Sequence, residues 1–270
     1  MTVVVVEDFS KVDDPVKTEE IISEQLIRKA ESIDSDYVYV SFPLAWNINK
    51  NGLRYTQNRI DTICRNLAGL KLFFICQHIL VNRLNFQGNL VFTPHATFSD
   101  SFMPLPHHSC TYDLDFVKPW DEREYVFSFM GSFITHPVRR KLYDYFSNRE
   151  DCLMIDTGSW HFEGSKEKQE ANTRKYIELL GNTKYSLCPR GSGPSTIRIW
   201  ESMAMGSTPV ILSGFLKMPL EMQTPAGSWI TAPENFTDLY KPEVEKKYNN
   251  KDYWDLFSNE NLYKAVTSVL

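Results

Sequence analysis

Apolar runs of strand length alternate with stretches of helical period along most of the chain. Residues Lys17 to Ile33 read as a helix, and Asp36–Leu44 (DYVYVSFPL) as the strand that follows it. A second helix, about Asn58 to Leu70, leads into the strand Lys71–Cys76 (KLFFIC), and Asn89–Thr93 is a shorter strand. From Pro94 to Trp120 the chain is rich in Pro, His and Ser and shows no period. A linker or active-site loop is expected there, with a domain boundary near Pro119.

Beyond that boundary the alternation is cleaner. Strands are expected at Tyr125–Phe129, Cys152–Ile155, Tyr185–Cys188 and Pro209–Leu212, with a last one at Ser228–Thr231. Between them fall helices at His136–Phe146, Lys168–Leu180 and Pro194–Met205, the latter two closed by Gly181 and Gly206. Strands separated by helices imply right-handed βαβ units and a parallel sheet, hence an α/β fold. The expected division is a domain over 1–119, a second over 120–250, and a C-terminal helix within 251–270 set against the first. Ligands in such sheets bind beyond the carboxyl ends of the strands, which directs attention to the residues after Phe129, Ile155 and Cys188.

Composition narrows the function. The 270 residues are 42% apolar and 23% charged, an ordinary globular balance. A net charge of -5 excludes a general nucleic-acid binder, which needs a basic footprint. The five cysteines are scattered without metal-ligand spacing and are expected as free, mostly buried thiols in a reducing compartment. The only apolar run near the start, Val3–Val6, is too short for a signal peptide or a membrane span. A cytoplasmic protein is therefore expected, or a Golgi-lumenal one if an anchor precedes this sequence.

The segment with the most chemistry is Lys184 to Glu201 (KYSLCPRGSGPSTIRIWE). A strand ends in Cys188-Pro189, the loop Arg190-Gly191-Ser192-Gly193 follows, and a helix is expected from Pro194. The glycines permit close backbone approach. Ser195 and Thr196 would offer hydroxyls and N–H groups to a phosphate at the helix start. No GxxxxGK pattern is present, which excludes an ATPase P-loop, and no GxGxxG follows the first strand, which excludes a Rossmann dehydrogenase. Arg190 and Arg198 flank this turn, and Arg139 and Arg140 fall in the first turn of an earlier helix, where cations oppose the helix dipole. Arginines at two such helix starts are explained if a diphosphate lies between them. The alternative for Arg198 is a plain i,i+3 pair with Glu201. Placed about 8 Å along its helix, Glu201 could instead hold ribose hydroxyls. Asp156-Thr157 and Cys188-Pro189 would then flank the base.

These residues resemble the exostosin-like glycosyltransferases, glycosyltransferase family 47. The likeness is strongest from Thr173 to Leu212 (TRKYIELLGNTKYSLCPRGSGPSTIRIWESMAMGSTPVIL), with its Pro-Arg-Gly, its serine-bearing turn, Arg-x-x-Glu-Ser and Gly-x-x-Pro-Val-Ile. A weaker match covers FSFMGSFITHPVRRKL, where Arg139 fits the family arginine best and Arg140 next. The resemblance implies a GT-B-like fold, two Rossmann-like domains with parallel sheets facing a cleft, here with a short N-terminal domain. It implies a UDP-sugar donor, a glycan acceptor on the N-terminal side, inversion at the anomeric carbon, and no obligatory metal or other cofactor. Arg139, Arg190 and Arg198 would face the diphosphate, Ser195 and Thr196 would cap it, and Glu201 would hold the ribose. Among the donors used in the family, UDP-xylose is favoured, because a short N-terminal domain leaves little room around the sugar C6. The alternative function is a non-catalytic nucleotide- or carbohydrate-binding subunit of a glycan-synthesising complex.

An inverting transfer needs a general base. His78, at the carboxyl end of the KLFFIC strand, is the first candidate and His95 the second, ahead of Asp100, His107 and His108. A lone histidine is as readily a satisfied structural residue. Asp34-Ser-Asp36 and Asp113-Leu-Asp115 have the spacing of a divalent-metal pair. With 16 aspartates in the chain, about one such triplet arises by chance, and no metal site is assigned.

Overall fold

A computed structural model describes residues 1–13, 16–158, 165–219, 228–234, 255 and 258–270. The chain forms two compact units. The first contains the described residues of 1–108, 215–219 and 258–270, and the second those of 109–214 and 228–255. Residues 109–119 belong to the second unit for clear local reasons. Cys110 Sγ reaches Glu201, the Asp113 N–H meets Met205 Sδ, and the Lys118 N–H bonds the Gly181 carbonyl.

The first unit is built on a five-stranded parallel sheet, β1 (Thr2–Val5), β2 (Tyr37–Ser41), β3 (Lys71–Ile75), β4 (Leu90–Thr93) and β5 (Met103–Pro104), in sequential order. Its helices are α1 (Lys17–Lys29) and α2 (Leu44–Asn66). Val3–Val5, a run too short for a leader, is thus an edge strand paired with β2. Helix α2 begins well before the expected Asn58. The apolar positions Leu44, Ala45 and Ile48 already carry its period, and only Gly52, at φ 82 and ψ 167, interrupts it. Strand period places Val38, Val40, Leu72, Phe74 and Val91 in one core with Ile60 and Ile63 of α2. The alternate positions stack Tyr39 on Phe73 at 5.1 Å and Phe73 edge-on to Phe92 at 5.7 Å. Burial on both faces is what a parallel sheet requires.

Two later segments complete this unit. Leu216 bridges to Thr97, and Lys217 Nζ donates to the Asp100 carbonyl at 2.9 Å. At the end of the chain, α6 (Tyr263–Thr267) lies against α1. The Gln25 amide donates to Asn259 O, its oxygen accepts the Tyr263 N–H, and Lys29 sits over the Tyr263 ring. Residues 251–254 and 256–257 of the expected C-terminal helix lie outside the described residues.

The second unit has its own five-stranded parallel sheet, β6 (Tyr125–Gly131), β7 (Cys152–Asp156), β8 (Thr183–Pro189), β9 (Thr208–Leu212) and β10 (Ile230–Thr231). The helices are α3 (Pro137–Phe146), α4 (Lys166–Gly181) and α5 (Arg198–Ala204). Its core joins Phe127, Phe129, Tyr185, Leu187 and Val210 to Val138, Leu142 and Phe146 of α3. The α/β fold with two parallel sheets is therefore present as the alternation of elements predicts. Helix α5 is shorter than expected and starts at Arg198, not Pro194. The glycine loop stays bent through Thr196, and the first helical bonds run from Ile199 N–H to Thr196 O and Trp200 N–H to Ile197 O.

Four of the cysteines are buried, Cys110 is exposed, and all five are free thiols.

Candidate anion-binding site at a strand-order switch

Across the second sheet the order is β10-β9-β8-β6-β7. Counted from the unit's first strand this is 2-1-3-4-5, so the chain leaves β6 toward β7 on one side and returns to β8 on the other. The crevice beyond the carboxyl ends of β6 and β8 is the place where open α/β sheets bind ligands. Those ends are Gly131 and Pro189, and the arginines meet there.

Arg139, in the first turn of α3, ties the two strand ends together. Its Nη1 donates to Ser132 O at 2.9 Å and its Nε to Arg190 O at 3.1 Å. Arg198 opens α5 and donates through Nη2 to the carbonyl of Met130, the next-to-last residue of β6. Both guanidinium groups lie over the Phe129 ring, at 5.4 and 4.5 Å. Arg190 follows β8, and its Nη1 lies 3.9 Å from Glu234 Oε1. Among the described residues, Arg139 and Arg198 form no ion pair with a carboxylate. Their bonds go to main-chain carbonyls, which orient a guanidinium without neutralising it.

Two glycines make room for this. A Cβ on Gly131 would stand 3.1 Å from Arg198 Nη2, and one on Gly191 would stand 3.1 Å from Arg139 Nη2. Burial, with the charge of Arg198 beside it, pulls Arg139 down to about 10. The group is still cationic at neutral pH. His136, which caps α3 by accepting the Val138 N–H, is likewise lowered by burial and then by Arg190. Concentrated positive charge at a switch point makes this crevice a candidate anion site.

The remaining expected residues divide. Arg140 points away: it is exposed, lies over the Tyr143 ring and pairs with Asp144 at 3.6 Å. Asp156, at the end of β7, uses Oδ1 to accept the N–H groups of Phe133 and Gly158. It thereby fixes the β6 turn, with Thr157 N–H on Gly131 O. Cys188 and Gly193 are buried, Ser195 is buried beside them, Thr196 is half-buried, and Ser192 is exposed on the loop. Glu201 falls in the first turn of α5, because the helix starts late, and is only 5% exposed. Its Oε2 accepts the Tyr176 hydroxyl at 2.7 Å and its Oε1 the Cys110 thiol at 3.2 Å. Arg198 turns to Met130 and does not pair with Glu201, so the plain i,i+3 reading does not describe it.

A family model for the Exostosin GT47 domain matches residues 74–229, more than half of the chain. The chain belongs to this family. The exostosin GT47 match begins within β3 and ends just before β10, so it takes in the whole arginine cluster. Among curated relatives, the chain is 25% identical over 203 residues to an Exostosin-1 homolog of Caenorhabditis elegans, covering 68% of this chain and 52% of that protein. It is 28% identical over 93 residues to ribitol-5-phosphate xylosyltransferase 1 of Danio rerio, covering 33% of this chain and 20% of that one. The chain thus spans about half the length of the first relative and a fifth of the second. Among solved structures it is similar to a sucrose-phosphate synthase of Thermosynechococcus elongatus, with 10% identity, a TM-score of 0.43, and coverage of 93% and 77% of the two chains. AviGT4, a glycosyltransferase involved in avilamycin A biosynthesis, gives 10% identity, a TM-score of 0.39, and coverage of 93% and 87%.

In the first unit, the histidines of this exostosin GT47 chain gather at the carboxyl ends of β3 and β4. His78 is engaged at both ring nitrogens: Nδ1 accepts the Leu80 N–H at 3.0 Å, and Nε2 lies 3.0 Å from Asn49 Oδ1. His95 is buried, with Nε2 donating to Gln77 O at 3.1 Å and Nδ1 unpartnered among the described residues. Burial lowers it to about 4. His107 stands edge-on to it at 5.3 Å and is lowered well below the usual value, again by burial. Beneath them lies a residue the sequence did not announce. Glu19 is fully buried and accepts N–H groups from Ala45 and Gln77, while its own N–H donates to the Gln77 side chain. Burial pushes its carboxyl up to about 8.

The Asp-x-Asp triplets have local explanations. Asp36 pairs with Lys71, and Asp113 caps a short helical turn by accepting the Asp115 N–H. Among the described residues no helix is long and apolar enough to cross a membrane.

Proposed function

We propose that the second unit binds a UDP-sugar and that the chain transfers the sugar, with inversion and without a metal, to a hydroxyl of a glycan acceptor. The observation that carries this reading is the pair Arg139 and Arg198 at the β6–β8 switch, oriented by carbonyls and, among the described residues, without a carboxylate partner. A diphosphate supplies two negative groups of the right geometry for planar guanidinium donors. In this reading Arg139, Arg190 and Arg198 hold the diphosphate, with the loop Gly191 to Thr196 closing around it. Glu201 faces the ribose. Two of its lone pairs are used inside the protein, and a carboxylate has others for a hydroxyl donor.

The donor sugar we favour is xylose, a reading supported by the likeness to a protein named as a xylosyltransferase. The acceptor base is placed on the first unit. Of the two candidates, His95 keeps a ring nitrogen, Nδ1, that is unengaged among the described residues, while both nitrogens of His78 hold structural bonds. This reverses the order of preference drawn from the sequence.

Calorimetric titration with UDP, ADP and GDP, with and without EDTA, tests the donor half. Selective UDP binding that survives chelation is the expected outcome. Absence of nucleotide binding overturns the reading, and binding lost on chelation overturns its metal independence. UDP binding without turnover of any UDP-sugar would point to the non-catalytic alternative.

A further inference from the structure

Two residues given to the nucleotide in the reading above, Arg198 and Glu201, are joined by a third side chain. Tyr176 projects from α4, an element with no residue at the strand ends. Its ring lies 5.0 Å from the Arg198 guanidinium, so that Arg198 is flanked by this ring and by Phe129 at 4.5 Å. Its hydroxyl donates to Glu201 Oε2 at 2.7 Å. A single tyrosine therefore supports the cation through its π face and the carboxylate through its O–H. Burial holds the phenol well above its usual value, which keeps the hydroxyl a donor throughout the neutral range.

The alternatives for Arg198 are limited by the same geometry. Its Nη2 is committed to Met130 O, and an aromatic surface offers no competing acceptor, so its remaining N–H groups stay available to an anion. Without the ring the guanidinium could fold toward Glu201, three residues along the same helix, and neutralise itself there. Without the hydroxyl, Glu201 would lose the donor that fixes its Oε2.

We propose that Tyr176 is a positioning residue of the donor site, holding Arg198 for the diphosphate by its ring and Glu201 for the ribose by its hydroxyl. The inference rests on the donor-site reading and deepens it. It separates two effects that a merely structural tyrosine would not separate. Tyr176→Phe keeps the ring and removes the O–H, whereas Tyr176→Leu removes both.

The test is calorimetry of wild type and both variants with two probes, UDP and inorganic pyrophosphate, with thermal melts to confirm folding. Tyr176→Phe should weaken UDP about tenfold and leave pyrophosphate unchanged, since only the ribose contact is affected. Tyr176→Leu should weaken both probes by about tenfold or more. Wild-type affinity for UDP in both variants overturns the inference while leaving the donor site in place. So does an equal loss of both probes in the Phe variant, because the hydroxyl would then not act through Glu201. If wild type itself binds neither probe, the donor-site reading fails and carries this inference with it.

Discussion

Gly191 and Arg139 are packed so closely that a Cβ on the glycine would stand 3.1 Å from Arg139 Nη2. The glycine is there for the arginine, not for its own backbone, since its φ is one that any residue could adopt. Gly191→Ala should therefore fold normally but shift the guanidinium by a few tenths of an ångström. We expect UDP affinity to fall about tenfold, or roughly 1.4 kcal/mol, by calorimetry. Unchanged affinity would remove Arg139 from the donor site.

Arg198→Lys keeps the charge and discards the planar fork. An ammonium cannot hold the Met130 carbonyl, face two rings and offer a bidentate edge together. The variant should lose tenfold or more in UDP affinity, on the order of 1.4 kcal/mol, with its melting temperature little altered. A lysine variant that binds as well as wild type would mean that charge alone is needed.

Arg123 is a fixture of stability rather than of binding. It is 7% exposed, and its guanidinium donates to the carbonyls of Lys118, Thr183, Gly206 and Met205. Replacing it by Met fills the volume and strands those acceptors, at a cost of roughly 3 kcal/mol. Urea denaturation should show the loss while any nucleotide affinity of the folded protein persists. A change below about 0.5 kcal/mol would contradict the staple role.

Acid should unfold the first unit partly through His95. Its folded value is about 4, below the ordinary 6.5, so the unfolded chain takes up a proton that the folded chain refuses. The contribution is complete above pH 6.5, declines as the pH falls, and is gone below about 4. It amounts to on the order of 3 kcal/mol. Glu19 acts in the opposite sense, favouring the folded state at low pH and losing that advantage between 4.5 and 8. Comparing wild type with His95→Gln isolates the histidine. The variant's stability should fall less on acidification from pH 7 to pH 4, and parallel curves would refute the account.

Much of the fold is legible in the sequence because parallel strands buried on both faces are written as continuous apolar runs. β3 and β9 are examples. The two departures have separate causes. The valines of β1 form so short a run that nothing distinguishes a strand from an apolar tail until Val38 and Val40 stand beside them. The late start of α5 is a property of the bent loop, which the Pro194 signal for a first helical turn conceals.

At the site, arginine placement at two helix starts was visible, because cations there oppose the dipole and demand a reason. Arg139 and Arg140 are adjacent and equal as letters. Only the helical rotation of 100° per residue, which sends Arg140 to Asp144, decides between them. Tyr176 could not have been found by spacing, since it lies on α4 and meets Arg198 of α5 only in the folded unit. Glu19 and Arg123 look like ordinary surface charges in TEEI and DERE, and only tertiary contacts bury them.

The first unit is discontinuous: residues 258–270 pack on α1, and 215–219 bridge to Thr97, while the second unit is threaded between. On the ribosome, α1 therefore emerges well before α6, the partner that completes its contacts. The second unit is assembled from residues 109–214 and 223–255, all made before that late segment, and can close first. Until α6 follows, α1 lacks the contacts of Gln25 and Lys29 with that segment, so the first unit, and not the one that carries the arginine cluster, is left incomplete during synthesis.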